Sequence, residues 1–179
     1  TQHYKNGVNK FNFSDFINKP NYPGMSIAFK KSVFDENQAF VINNISNIKT
    51  HDYLLVMMSL FEGEVYTVGE SYCNRTFTGE NVALRETNRS KFIIQDRINS
   101  AQTYINQYTL VLNFLSSHFI SRYEDKKIRI IRLLNAQELR LDFLENGGFK
   151  KGVSLIKNVQ YLPSFKSLII DILAKKIGH

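Results

Sequence analysis

The stretch between residues 53 and 115 constrains the fold most, because apolar runs alternate there with turn residues at short intervals. A nearly continuous apolar run at residues 53–60 is followed by a turn at Glu62, Gly63 and Glu64, and a second turn falls around Gly79. Short strands separated by Gly and Asn turns are typical of a small antiparallel barrel or sandwich. The pattern therefore predicts an antiparallel β-barrel.

The last predicted strand of this barrel runs over residues 105–115. Successive strand residues point to opposite faces, so one face is made by the residues Tyr108, Leu110, Leu112 and Phe114. At Ser116 and Ser117 the apolar spacing changes, and serine is a favoured residue before the first turn of a helix. We therefore predict that strands end here and helices follow.

Helical spacing characterises much of the rest of the chain, but residues 126–134 are ambiguous, because Ile128, Ile130 and Ile131 are β-branched and could form a strand. A helix is predicted at residues 136–144 and stopped by Gly147 and Gly148, and a short helix is predicted at residues 153–157. The final predicted helix is amphipathic, with Pro163 in its first turn and Lys175 and Lys176 at its end.

Composition sets the broad class. The 179 residues are 43% hydrophobic, which is enough for a packed core in one compact domain. The net charge of +7 suits a nucleic-acid or membrane-surface partner, but it equally suits a lysine-rich soluble protein. The single cysteine, Cys73, favours a reducing compartment, and no apolar run reaches the length of a membrane span. We expect a cytoplasmic location and no membrane partner.

Three segments are expected along the chain. Residues 1–24 are expected to form an N-terminal arm, and residues 118–179 are expected to form a helical subdomain. Residues 25–117 are expected to form the barrel, which includes further strands around residues 25–34 and 39–45. The fold class is α+β.

The sequence lacks the motifs of common catalytic and metal sites. Its four histidines are isolated, and neither a nucleophile elbow nor a glycine-rich phosphate loop is present. We expect no enzyme activity, no cofactor and no metal site.

Four segments resemble the N-terminal regulatory domain of AraC/XylS-type transcription activators, most closely those that control virulence genes in enteric pathogens. The segments are HDYLLVMMSLFEGEVYTVGES (51–71), FTGENVALRETNRSKFII (77–94), YTLVLNFLSSHFISRY (108–123) and VSLIKNVQYLPSFKSLIIDILAKKI (153–177). The resemblance implies a cupin-like barrel followed by a helical dimerisation subdomain.

This resemblance also implies candidate sites. Some family members hold a fatty acid or similar small effector through a lysine at the position of Leu54, so Lys49, Arg85 or Arg89 would take that role here. Other members bind a protein partner instead. The expected effector-binding residues are Phe29, Val56, Met58, Tyr66, Arg85, Arg89, Leu110 and Leu112.

The predicted function is a regulatory and dimerisation domain of a bacterial transcription activator. DNA binding is expected only through a helix-turn-helix domain outside this chain. The expected homodimer surface is made by Leu139, Phe143, Phe165, Leu168, Ile169 and Ile172.

Two alternatives stay open. One is a free-standing protein- or nucleic-acid-binding module, such as a secretion chaperone or a phage-encoded inhibitor. The other is an enzyme, a nuclease or a metal-free barrel isomerase, in which Asp96 or Glu80 would carry the reaction.

Overall fold

The computed structural model describes residues 8–18, 27–44, 51–68, 93–118 and 123–177. The chain divides into two compact units, Thr1–Phe77 and Thr78–His179. Helices dominate the described ranges, and the only sheet within them is a two-stranded antiparallel ribbon. The predicted cupin-like β-barrel, and with it the α+β class, is therefore wrong.

The first unit combines short helices with the ribbon. Its described helices are α1 (Phe13–Asn18), α2 (Lys31–Glu36), α3 (Gln38–Asn44) and α4 (His51–Glu62). The ribbon pairs β1 (Val8–Phe11) with β2 (Val65–Val68), which confirms the strand predicted after the Gly63 turn. The strands predicted around residues 25–34 and 39–45 are wrong where the structure describes them. Residues 27–30 lie in no helix or strand and α2 begins at Lys31, while α3 covers residues 39–44.

Helix α4 occupies the apolar run that was predicted to be a barrel strand. The run is rich in Leu and Met, which favour helices, and Val56 is its only β-branched residue. A short apolar run bounded by turn residues fits a buried helix as well as a buried strand. The rings of Phe16 and Tyr53 lie 4.6 Å apart, and those of Phe13 and Phe61 lie 5.6 Å apart. Helix α4 is thus the core helix of the first unit, packed against α1.

The second unit is helical throughout its described part. Its described helices are α5 (Ile94–Ser117), α6 (Glu124–Asn146), α7 (Phe149–Lys157) and α8 (Phe165–Ile177), and a 3-10 turn at Val159–Tyr161 lies between the last two. The most extensive contact in the unit joins α5 to α6. The helices predicted at residues 153–157 and at the end of the chain are confirmed as α7 and α8.

Helix α5 replaces the strand predicted over residues 105–115. Its buried residues are Ala101, Tyr108, Leu110, Val111, Phe114 and Leu115. These follow helical spacing. Tyr108, Leu110 and Phe114 of the predicted strand face belong to this set, whereas Leu112 is only partly buried. Ser116 and Ser117 therefore lie in the last turn of a helix and do not begin one.

Helix α6 is one continuous helix whose inner side repeats every three or four residues. The buried residues on this side are Ile130, Leu133, Gln137, Arg140 and Leu144. Beside them lies a hydrophobic cluster that joins α6, α7 and α8, made of Ala136, Phe143, Leu155, Leu162 and Leu168. Two polar residues, Gln137 and Arg140, thus occupy core positions.

Gly147 ends α6 with a backbone conformation that only glycine adopts easily. Its φ is 69° and its ψ is −158°, and its N–H donates to the Phe143 carbonyl at 2.8 Å. A β-carbon here would lie 3.1 Å from Cε of Lys175. The predicted stop at Gly147 is confirmed.

We expect Gly147→Ala to lower the free energy of unfolding by about 1–3 kcal/mol, because alanine is strained in this backbone region. The matched control is Gly152→Ala inside α7, where the new methyl would meet the Phe143 ring at an ordinary 3.5 Å. This control is expected to stabilise the protein by up to about 1 kcal/mol through helix propensity. Urea unfolding followed by circular dichroism measures the free energy of unfolding of both variants. Equal effects of the two substitutions would contradict the positive φ at Gly147.

Candidate functional site

Helix α8 begins at a serine cap. The N–H of Ser167 donates to Oγ of Ser164 at 3.0 Å, which satisfies one of the free donors of the first turn. Pro163 precedes the cap, and Lys175 and Lys176 lie in the last turn, where cations are favoured. This local sequence explains why the helix starts and ends where it does.

One side of α8 is apolar and faces solvent. We call the exposed residues Phe165, Lys166, Ile169, Ile172, Leu173 and Lys176 the outward face of α8. The side chain of Phe165 is 63% exposed and that of Ile169 is 44% exposed. Spacing of three, four and seven residues places these apolar groups on one side of a helix. The outward face carries lysines and no carboxylate.

The inner side of α8 is held by a buried ionic cluster. Leu168, Asp171 and Ala174 are almost fully buried at three-residue spacing. The Asp171 carboxylate accepts two hydrogen bonds from Arg140, from Nε at 2.7 Å and from Nη2 at 3.2 Å. It also accepts one from Nε of Arg97 at 2.5 Å. We call Arg97, Gln137, Arg140, Ser167 and Asp171 the Asp171 cluster.

The other members of the Asp171 cluster extend the network to three helices. Arg97 of α5 donates through Nη2 to the backbone oxygen of Ser167 at 3.2 Å and to its hydroxyl. Nη1 of Arg140 donates to Oε1 of Gln137 at 3.1 Å, while Nε2 of Gln137 is buried without a hydrogen-bond partner. The cluster therefore connects α5, α6 and α8 through hydrogen bonds, whose strength depends on their alignment.

The charges of the Asp171 cluster do not balance. Two guanidinium groups share one carboxylate, and Arg140 and Asp171 are excluded from solvent. Removing one partner from a buried ion pair leaves an uncompensated charge, which costs far more than the loss of a surface pair. The cluster thus fixes the rotation of α8 about its axis and keeps the outward face turned away from the core.

Two tyrosines of α5 lie close to this cluster. Burial raises the pKa of the Tyr104 hydroxyl, and the nearby Arg140 and Arg97 oppose that rise. Burial also raises the pKa of Tyr108, well above its usual range, with a further contribution from Tyr104. The two rings lie 6.0 Å apart. Both hydroxyls therefore stay neutral in the folded protein at a pH where unfolded tyrosine ionises.

Stability is expected to fall at alkaline pH. A tyrosine whose pKa is raised by folding stabilises the protein fully below about pH 10, the unfolded value, and loses that contribution as the pH rises toward the folded value. We expect the free energy of unfolding to decline above about pH 10, by up to about 1.4 kcal/mol per pH unit for Tyr108. The decline should be shallower in Tyr108→Phe. Identical urea-unfolding profiles for the two proteins between neutral and alkaline pH would contradict the burial of this hydroxyl.

The expected effector-binding residues are divided between the two units and the part of the chain that the structure does not describe. They fall in both units: Phe29 precedes α2, Val56 and Met58 are buried in α4, Tyr66 lies on β2, Leu110 and Leu112 lie on α5, and Arg85 and Arg89 lie outside the described residues. Tyr66 is exposed and donates to Glu64, which also binds Lys10 across the ribbon. The barrel that was predicted to enclose these side chains is wrong, and an effector site made by them stays a prediction.

The expected dimer residues divide into two sets. Phe165, Ile169 and Ile172 lie on the outward face of α8. Leu168 and Phe143 are buried in the core of the second unit, and Leu139 packs against that core. Leu173, which the sequence analysis did not select, completes the exposed side at 39% exposure.

The Asp171 cluster was missed by the sequence analysis. A signal existed for part of it, because Gln137 and Arg140 occupy inward positions of the α6 repeat. Asp171 likewise interrupts an apolar run in α8. Their pairing has no sequence signal, since Arg97 and Asp171 are far apart in the chain.

Two further properties apply to the described ranges. Within them, no three His, Cys, Asp or Glu side chains gather as metal ligands would. No helix described there is both long and apolar enough to cross a bilayer.

Comparisons with known proteins found no match, whether against protein-family models, curated proteins or solved structures.

Proposed function

We propose that this chain is a non-catalytic pairing module in which two copies associate through the outward face of α8. The proposal rests on the row of exposed apolar side chains on one side of α8. The opposite side of this helix is held in place by the hydrogen bonds and ion pairs of the Asp171 cluster. A helix face fixed in this way is preorganised, which lowers the entropy cost of association.

The outward face of α8 is self-complementary in an antiparallel arrangement. Thirteen residues make a helix about 20 Å long, with its centre between Ile169 and Ile172. When two such helices run in opposite directions about that centre, Ile169 meets the partner's Ile172. Phe165 then meets the partner's Lys176, and an ammonium group near a phenyl face is attracted to it.

In this pairing the free energy gained by burying apolar side chains exceeds the repulsion between the lysines. Full burial of an Ile, Leu or Phe side chain is worth about 1.5–3 kcal/mol, so two half-exposed rows provide roughly 6–12 kcal/mol before the costs of association. Two lysines about 10 Å apart in water repel by only about 0.4 kcal/mol. Since association itself costs about 4–15 kcal/mol, at most about 8 kcal/mol remains, and we expect a weak dimer that is no tighter than about micromolar.

A regulatory role in transcription stays a prediction from the resemblance. In such a role, pairing through α8 would fix the separation of two DNA-binding units supplied by the rest of a longer protein. The effector-filled barrel has no part in this proposal.

Analytical ultracentrifugation of the whole chain, from about 1 to about 200 µM, tests the proposal. We expect a monomer–dimer equilibrium that is unchanged or strengthened between about 0.05 and 0.5 M NaCl, because salt screens the lysines and leaves apolar contact intact. A monomer at every concentration would overturn the proposal. A dimer that dissociates with added salt would also overturn it, because ionic pairing would then hold the copies together.

A further inference from the structure

A second exposed surface lies on α7, directly after the glycine turn that ends α6. Gly147 and Gly148 both have positive φ, and Phe149 follows them as the first residue of the helix. Its side chain is 87% exposed, the largest exposure among the large hydrophobic residues described. The turn therefore directs an aromatic side chain away from the core.

The rest of α7 explains why Phe149 stays outside. Leu155 is fully buried in the core cluster, and Gly152 faces the Phe143 ring. With these positions turned inward, Phe149 and Ile156 lie on the outer side, seven residues and about 10 Å apart along the helix. Ile156 is 53% exposed.

Lysines accompany both apolar groups. Lys150 and Lys157 are exposed at the same seven-residue spacing. Lys151 is bound to Asp142 at 2.6 Å, whereas Lys150 and Lys157 form no ion pair with any described residue. Helix α7 has no carboxylate of its own. We call Phe149, Lys150, Ile156 and Lys157 the α7 strip.

We propose that the α7 strip docks an acidic peptide segment that carries apolar side chains. The charge is complementary, because the strip presents two unneutralised ammonium groups, and its apolar groups need an apolar counterpart. A nucleic acid is less suited, because its phosphates would gain nothing from Phe149 and Ile156, and two lysines make few of the contacts that hold DNA. This proposal is independent of pairing through α8, since the two surfaces share no residue.

Fluorescence anisotropy of the whole chain with a defined probe tests the proposal. The probe is a labelled helical peptide with Leu on one face and Glu beside it, and the comparison probe has Gln in place of every Glu. We expect the Glu peptide to bind at least about tenfold more tightly at low salt. Equal binding of the two peptides would overturn the proposal.

Substitutions test whether the Glu peptide binds at the α7 strip. We expect Lys150→Glu with Lys157→Glu, and separately Phe149→Ser, each to weaken the Glu peptide at least about tenfold. The matched control is Lys30→Glu with Lys31→Glu, which changes the net charge equally on exposed residues of the first unit and should leave binding unchanged. All these positions are exposed, and the Lys31–Asp35 pair that the control removes is itself exposed and contributes little, so circular dichroism should match the parent protein.

Three outcomes would overturn the docking proposal. The first is an equal loss of binding in the control double variant, which would indicate an effect of net charge alone. The others are tighter binding, through the same residues, of a DNA duplex or of vesicles containing anionic lipid.

Discussion

Replacing Asp171 by asparagine is expected to lower the free energy of unfolding by about 3–5 kcal/mol, because two guanidinium groups lose the carboxylate that they share inside the protein. Arg140 is 1% exposed, so water cannot take over the lost interaction. A loss of this size is a large part of the total stability of an ordinary domain. Urea unfolding of the parent and variant proteins measures it.

The matched control is Asp142→Asn. Asp142 also belongs to the second unit, but it binds a single cation, Lys151 at 2.6 Å, and its side chain is 44% exposed. Exposed pairs of this kind contribute about 1 kcal/mol or less. If Asp171→Asn cost no more than Asp142→Asn, the Asp171 cluster would not be the element that holds α8.

Replacing Ile169 by lysine is expected to weaken pairing at least about 100-fold, which corresponds to about 2.8 kcal/mol. The change removes an apolar contact at the centre of the outward face and adds a charge to a surface that is already basic. Ile169 is 44% exposed, and lysine is a good helix former, so the monomer should keep its fold. Sedimentation at a concentration where the parent chain is dimeric should then show a monomer.

Asn135→Lys is the control for this change, because it adds the same charge at an exposed position of α6. It should leave the monomer–dimer equilibrium unaltered. Leu168→Lys would not serve, since Leu168 is 1% exposed and the variant would unfold the core. Retained pairing in Ile169→Lys would place the contact elsewhere on the protein.

The sequence was a good guide where several local signals agreed. For α8 the helical apolar spacing and the terminal lysines both favour one helix, although Pro163, predicted in its first turn, lies just before the capping Ser164. For the turn at Gly147, two adjacent glycines after a periodic segment leave few alternatives. Phe165, Ile169 and Ile172, which were predicted to belong to a dimer surface, are exposed on one side of α8, and their role in pairing stays a prediction.

The sequence misled where one pattern fitted two structures. The run in α4 is apolar on all sides, so its length and its flanking turns suggested a strand, whereas its Leu and Met content favours a helix. In α5, Tyr108 and Leu110 begin an alternation that a helix also satisfies. The resemblance to a regulatory barrel rested on the same hydrophobic spacing, so it shared this ambiguity.

The Asp171 cluster depends on tertiary contact and therefore could not be derived from local patterns. Glutamine and arginine are mostly found at the surface, so Gln137 and Arg140 are expected to be exposed until the inward side of α6 is known. The role of Asp171 as a shared ion-pair partner becomes evident only when α5 and α6 bring two guanidinium groups to it. Which residues of an amphipathic helix face the core, and which face solvent, is likewise decided by packing.

Cross-linking of mixed chains tests the central claim most directly, namely that two copies pair through α8 in opposite directions. One chain carries Lys166→Cys and the other Lys176→Cys, both in a background where the single native cysteine is changed by Cys73→Ser. Antiparallel pairing brings opposite ends of α8 together, so a short thiol linker should join unlike chains faster than like chains. Faster linkage of like chains, or no linkage at concentrations where the protein sediments as a dimer, would contradict the account.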